Sequence, residues 1–166
     1  MKPIHLAGAV ALTIALAAGI YLSLGAKSDV PVVGYTLLDG RQASTAQFQG
    51  KVVLVNFWAT SCTTCVHEMP QIAATYDKYK SRGFDTLAVA MSYDPPAYVV
   101  NFVETRKLPF PVAIDNTGAV ARSFGDVRLT PTSVLINKRG EIVKRFVGEP
   151  DFTALHQLIE QLLAEA

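Results

Sequence analysis

The chain has two cysteines, and both lie in Cys62-Thr63-Thr64-Cys65. Two thiols at this spacing on the first turn of a helix stand within reach of one another and can close to a disulfide or open to a dithiol. Ser61 is a good N-cap residue and is expected to place Cys62 at the first helical position. There, unpaired backbone N–H groups and the positive end of the helix dipole favour a thiolate. Cysteines in such motifs have their pKa lowered from about 8.5 into roughly 3.5–7.5. Cys65 is expected one turn deeper, reachable by Cys62 but hidden from a bulky partner. The predicted chemistry is thiol–disulfide exchange, with Cys62 attacking and Cys65 resolving the mixed disulfide.

Other uses of two cysteines fit less well. A structural disulfide framework spreads more cysteines along the chain. A zinc site needs two further ligands at matching spacing, so no metal and no cofactor are expected. Haem attachment needs Cys-x-x-Cys-His, and Val66 stands where that histidine belongs, with His67 read as solvent-facing. A Cu(I)-handling chaperone or metal-site assembly factor is the alternative function, since a dithiol binds Cu(I). His67, Met69 and Met91 are the candidate further ligands.

The elements that must position the pair follow from hydrophobic patterning. Val52-Val-Leu-Val-Asn-Phe-Trp58 is nearly all apolar and β-prone, as a strand covered on both faces requires. The helix after it carries Cys65, Met69, Ile72, Ala73, Tyr76 and Tyr79 as a buried stripe, with a kink expected at Pro70. Thr86–Met91 is the next strand. Asp94 is expected to cap a helix starting at Pro95 or Pro96 that turns Val99, Phe102 and Val103 inward. Then come a strand at Pro111–Ile114, a short helix over Thr117–Phe124 ended by Gly125, and a hairpin of Thr132–Ile136 with Glu141–Val147, turning at Gly140. Asp151 caps a last helix with Phe152, Leu155, Leu158, Ile159 and Leu162 inward. Tyr35 onward, turning at Asp39-Gly40, reads as an N-terminal hairpin.

The chain has 166 residues, half of them hydrophobic, with 15 basic and 14 acidic residues and a net charge of +1. That excludes disorder and offers no basic face for nucleic acid. The expected division is 1–27 as a membrane anchor or signal peptide, 28–34 as a linker and 35–166 as the domain. Leu6 to Ala26 carries no charge and at about 1.5 Å per residue can cross a hydrocarbon core of about 30 Å. A cleaved signal has a shorter apolar region, about 7–15 residues, although Ser23-Leu24-Gly25 would serve as a cleavage site. Both readings export the domain, because positive charge before the span keeps the N-terminus inside. The first gives a single-pass protein of the inner membrane with its domain in the periplasm; the second gives a soluble periplasmic one.

The stretch Asn56-Phe-Trp-Ala-Thr-Ser-Cys-Thr-Thr-Cys-Val-His-Glu-Met-Pro70 resembles the active-site segment of the thioredoxin superfamily. It is most similar to the TlpA/ResA-type branch of membrane-anchored exported reductases. The resemblance extends to Asp39-Gly40, Gly50-Lys51, Thr130-Pro131-Thr132 and Gly148, so it covers the chain from about Tyr35 to the end. It implies a thioredoxin-like α/β fold, a central mixed sheet flanked by helices, with an N-terminal β-hairpin extension and an N-terminal transmembrane helix. It implies a cis Thr130–Pro131 bond facing the disulfide, where a trans proline opening an edge strand is the other reading. It places Glu68 where the family carries a glutamate, to hold a proton for Cys65 or raise its pKa; an exposed helix glutamate is the alternative. Trp58, Ser61, Thr130 and Gly148 become candidate substrate contacts, with a pure core role as the rival for Trp58. Ser61 departs from the family's usual tryptophan and Thr64 from its frequent proline. The implied partners are protein disulfides, including apocytochrome c in cytochrome c biogenesis or copper-site proteins. A membrane thiol carrier is implied as electron donor. Peroxide reduction is not expected, since Ala59 and Val55 stand where a peroxiredoxin needs threonine and proline.

Overall fold

A computed structural model describes residues 28–165. The anchor or signal expected over 1–27 lies outside the described residues. Among the described residues, no helix is long and apolar enough to cross a membrane.

The architecture grows from β4, Val52–Trp58, in which all seven residues are buried. A strand with no exposed residue needs neighbours on both edges and cover on both faces. On one edge it pairs in parallel with β5, Phe84–Ala90, which pairs in parallel with β6, Val112–Ile114. On the other it pairs antiparallel with β7, Thr132–Ile136, which continues antiparallel to β8, Glu141–Val147. The stretch read as a linker supplies a further edge strand, β1, Ser28–Asp29, antiparallel to β8. The resulting mixed sheet has the order β1-β8-β7-β4-β5-β6. The expected hairpin forms separately from β2, Gly34–Thr36, and β3, Gln42–Ser44, with Gly40 at φ 85° in its turn. Leu38 fastens it to β6 through its N–H on the Val112 carbonyl, 3.0 Å away.

Among the described residues, four α-helices flank the sheet: α1 Thr63–Tyr79, α2 Pro96–Arg106, α3 Ala119–Ser123 and α4 Phe152–Ala164. Alternation along β4 divides the core. Val52, Leu54 and Trp58 pack with Cys65, Met69, Ile72 and Tyr79 of α1, Val99 of α2 and Leu155, Ile159 and Leu162 of α4. Val53, Val55 and Phe57 face the hairpin's Tyr35, together with Phe48 and the Val120, Ala121 and Phe124 side chains. Asn56 shares the parity of Leu54 and Trp58, so it points toward α1.

Three local expectations are corrected. Asp94 does not cap α2: Pro95 holds the cap position with no side-chain bond, and the Asp94 carboxylate turns away to Thr60. The short helix begins at Ala119, because Gly118 sits at φ 71°, outside helical geometry. The active-site helix begins one residue later than expected, at Thr63. Asp151 caps α4 as expected, its carboxylate accepting from the Thr153 and Ala154 N–H groups. The α1 helix runs on through Pro70.

Candidate active site

Cys62 and Cys65 are joined in a disulfide at the start of α1, with Cα atoms 5.2 Å apart. Ser61 is not the cap. The Cys62 N–H bonds the Ala59 carbonyl in a tight turn, and the Cys62 backbone is extended (φ −90°, ψ 105°). Cys62 is therefore the N-cap itself, and its Sγ takes the place of a capping oxygen by accepting from the Cys65 N–H at 3.2 Å. The α1 first turn holds no acidic residue. This brings the sulfur onto the orphan donors more directly than the expected first-turn position would. Ser61 is left exposed beside it.

The two sulfurs differ in access. Cys62 is half-buried and Cys65 is fully buried. Glu68 lies three residues beyond Cys65 on the same helix, so the two share a face. It too is fully buried, which removes the exposed-glutamate reading. Its Oε1 accepts from Asn56 Nδ2 at 2.9 Å, and the same Nδ2 donates to Ser133 Oγ at 2.9 Å. Asn56 and Ser133 are register partners across β4 and β7. Glu68 Oε2 has no partner among the described residues. Burial drives the Glu68 carboxyl up to about 7; the Asn56 hydrogen bond opposes this, and the Glu149 charge adds to it. At neutral pH this carboxyl is poised between holding and releasing a proton.

Pro131 is buried, and the Thr130–Pro131 bond is cis. The Gly148 N–H bonds the Pro131 carbonyl at 2.8 Å, so the residues after β8 brace this loop. Thr130 stays partly exposed, with Oγ1 at 3.2 Å from the Tyr93 hydroxyl. The contact reading of Trp58 is corrected: the indole is fully buried and lies against Phe102, with ring centroids 5.1 Å apart. It supports the floor of the site and offers no surface to a partner. His67 is exposed, and its Nδ1 meets Glu149 Oε2 at 3.1 Å, linking α1 to the end of β8. Among the described residues, no group of three or more His, Cys, Asp or Glu is placed to hold a metal ion.

Sequence reasoning left Ser133, Asp94, Thr60, Tyr93 and Glu149 out of the site. The one readable signal was Asn56, an amide inside an otherwise apolar central strand.

Residues 25–159 match the family model described as Redoxin. The chain belongs to the redoxin family. It is 36 % identical over 134 residues to the thiol-disulfide oxidoreductase ResA of Bacillus thuringiensis subsp. konkukian, covering 81 % of this chain and 76 % of that protein. To ResA of Bacillus subtilis it is 33 % identical over 134 residues, 81 % of this chain and 74 % of that one. Among solved structures, a protein of Neisseria meningitidis described as a candidate thioredoxin superposes with a TM-score of 0.78 at 44 % identity, covering 84 % of this chain and 93 % of that chain. A thiol:disulfide interchange protein of Chlorobium tepidum gives 0.76 at 26 % identity, covering 84 % and 99 %. The expected thioredoxin-like fold and ResA/TlpA type are therefore found, and the redoxin is a thiol–disulfide oxidoreductase with a redox-active disulfide.

A carboxyl raised from 4.5 to about 7 by folding binds more protons folded than unfolded between those values. Stability is then fully present below pH 4.5 and is lost as pH rises through 7, by at most roughly 3 kcal/mol at 1.36 kcal/mol per unit. Glu68→Gln keeps an acceptor for Asn56 and removes the titration. In urea unfolding of the oxidised protein, the variant should gain on wild type between pH 4.5 and pH 8. Parallel pH profiles for the two would show that Glu68 does not titrate in this window.

Proposed function

We propose that this redoxin is an exported, membrane-held reductase of protein disulfides, with Cys62 as nucleophile, Cys65 as resolving thiol and Glu68 as proton acceptor. The observation that carries the reading is the unequal access of the two sulfurs. The half-buried Cys62 sits on the α1 N–H groups, and Cys65 lies sealed beneath it on the face of a buried carboxyl.

The Cys62 thiolate attacks one sulfur of a partner disulfide, forming the mixed disulfide and releasing a partner thiolate that takes up a proton. Cys65 gives its proton to Glu68 and attacks Cys62 Sγ. The second partner thiolate leaves, and the Cys62–Cys65 disulfide remains, which is the state of this structure. The partner gains two electrons and the dithiol loses them. A membrane dithiol carrier returns them, opening the disulfide and itself becoming a disulfide. Thr130 and Gly148 flank the point of entry, and Ser61 lies exposed beside it.

The uncharged run Leu6–Ala26 supports both export and tethering. Tethering raises the effective concentration of a carrier in the same membrane. Cell fractionation should leave the protein with membranes at high salt; a mature chain starting near Ala26 and washing free would remove the anchor from this reading.

Cys65→Ala should accumulate a mixed disulfide through Cys62, visible on a non-reducing gel, and Cys62→Ala should not. The reverse pattern exchanges the two roles.

Direction is a matter of potential. Equilibration with glutathione or dithiothreitol should give a value well below about −200 mV, and one near about −120 mV would make the protein an oxidant.

A further inference from the structure

On the exchange reading above, a substrate lies between two loops that belong to distant parts of the chain. One wall is the turn leading into Cys62, and the other is the Thr130–Pro131 loop. Neither wall is held by β4 or β7 alone, since Thr60 and Thr130 both lie beyond the strand ends.

A third loop touches both. It follows β5 and is itself fixed: the Met91 N–H bonds the Trp58 carbonyl at 3.0 Å, and the Asp94 N–H bonds the Met91 carbonyl at 2.9 Å. From it, the Asp94 carboxylate reaches Thr60 with both oxygens. Oδ2 accepts from the Thr60 N–H and Oδ1 from the Thr60 hydroxyl, each at 2.6 Å. Asp94 is 2 % exposed. A carboxylate sealed from water costs free energy unless it is fully hydrogen-bonded, and Thr60 is the residue that satisfies it. The adjacent side chain, Tyr93, turns the other way, to Thr130. Tyr93 stays 57 % exposed, so a polypeptide seated against Thr130 meets it.

We propose that Tyr93 and Asp94 form a strut that sets the spacing of the two walls, making Asp94 with Thr60 the positioning pair for Cys62 and Tyr93 the positioning residue for Thr130. The proposal rests on the exchange reading above and adds the device that aligns its two halves. Asp94 acts through the Ala59–Cys62 turn. With Thr60 clamped, that turn holds Cys62 at the cap, where the α1 N–H groups stabilise its thiolate. Tyr93 acts on the partner's side. It holds Thr130 in the orientation that an incoming polypeptide must match.

The test uses mild variants, because truncating a buried carboxylate can unfold the domain. Thr60→Val removes one hydrogen bond to Asp94 and leaves every charge in place. In the reduced protein it should slow alkylation of Cys62 by iodoacetamide at neutral pH by about fivefold, the worth of one hydrogen bond. Thr60→Ser, which keeps the hydroxyl, should restore the wild-type rate. An unchanged or faster rate for Thr60→Val, or a serine variant as slow as the valine one, overturns the Asp94 arm. Tyr93→Phe should raise KM for insulin disulfide reduction by about fivefold with kcat unchanged. A fall in kcat at constant KM, or no change in either, overturns the Tyr93 arm. If the wild-type chain fails to reduce insulin, the reductase reading fails, while the alkylation series still decides the Thr60–Asp94 clamp.

Discussion

The constraint on which the rest depends is that β4 has no exposed residue. Six of its seven positions answer this with apolar or aromatic side chains. Asn56 answers it with an amide, which must find polar partners in the core or cost free energy. Parity sends it toward α1, and two partners stand there: Glu68 on the helix and Ser133 on the neighbouring strand. A buried carboxyl on its own would be expelled or permanently neutral. A single donor from Asn56 lowers its proton affinity without cancelling the effect of burial, which leaves it near neutrality. Asn56 thus ties the central strand to the carboxyl whose proton affinity burial raises.

The helix start supplies the matching polarity. Cys62 occupies the cap and Cys65 the third helical position, so one sulfur meets the helix donors and the other lies in the apolar layer with Met69 and Ile72. The positive end of α1 lies at the outer sulfur, and the buried Glu68 carboxyl shares a helix face with the inner one. Trp58 and Phe102 pack in that same apolar layer.

Much of the fold was legible because it is local. The unbroken apolar run of β4, the stripe of α1, the Asp151 cap and the Gly140 turn each announce themselves within a few residues. The dithiol was legible for the same reason, and Glu68 and Pro131 through resemblance. What was not legible is bonded across distance. Asn56 meets residues 12 and 77 positions away, and Asp94 meets Thr60 across 34. An aspartate before two prolines looks like a cap, and only tertiary structure reveals that its carboxylate points elsewhere. Ser61 misled in a related way. It has the right side chain for a cap, but the turn at Ala59 makes Cys62 the last extended residue, and sulfur can cap as oxygen does.

The edge strand β1 has a mechanical consequence. Ser28 and Asp29 pair with Ile142 and Glu141, at the end of β8 remote from Val147 and the disulfide. Between Ile142 and Val147 a strand climbs roughly 17 Å at about 3.3 Å per residue. A pull on the start of the described chain therefore enters at the far corner of the sheet. It falls first on the Ser28–Asp29 ladder and on the Val30 N–H bond to the Gly140 carbonyl, ahead of the pairs of β4 with β5 and β7. The strand ends that lead to Cys62 and Pro131 lie at the opposite end of the sheet from that load.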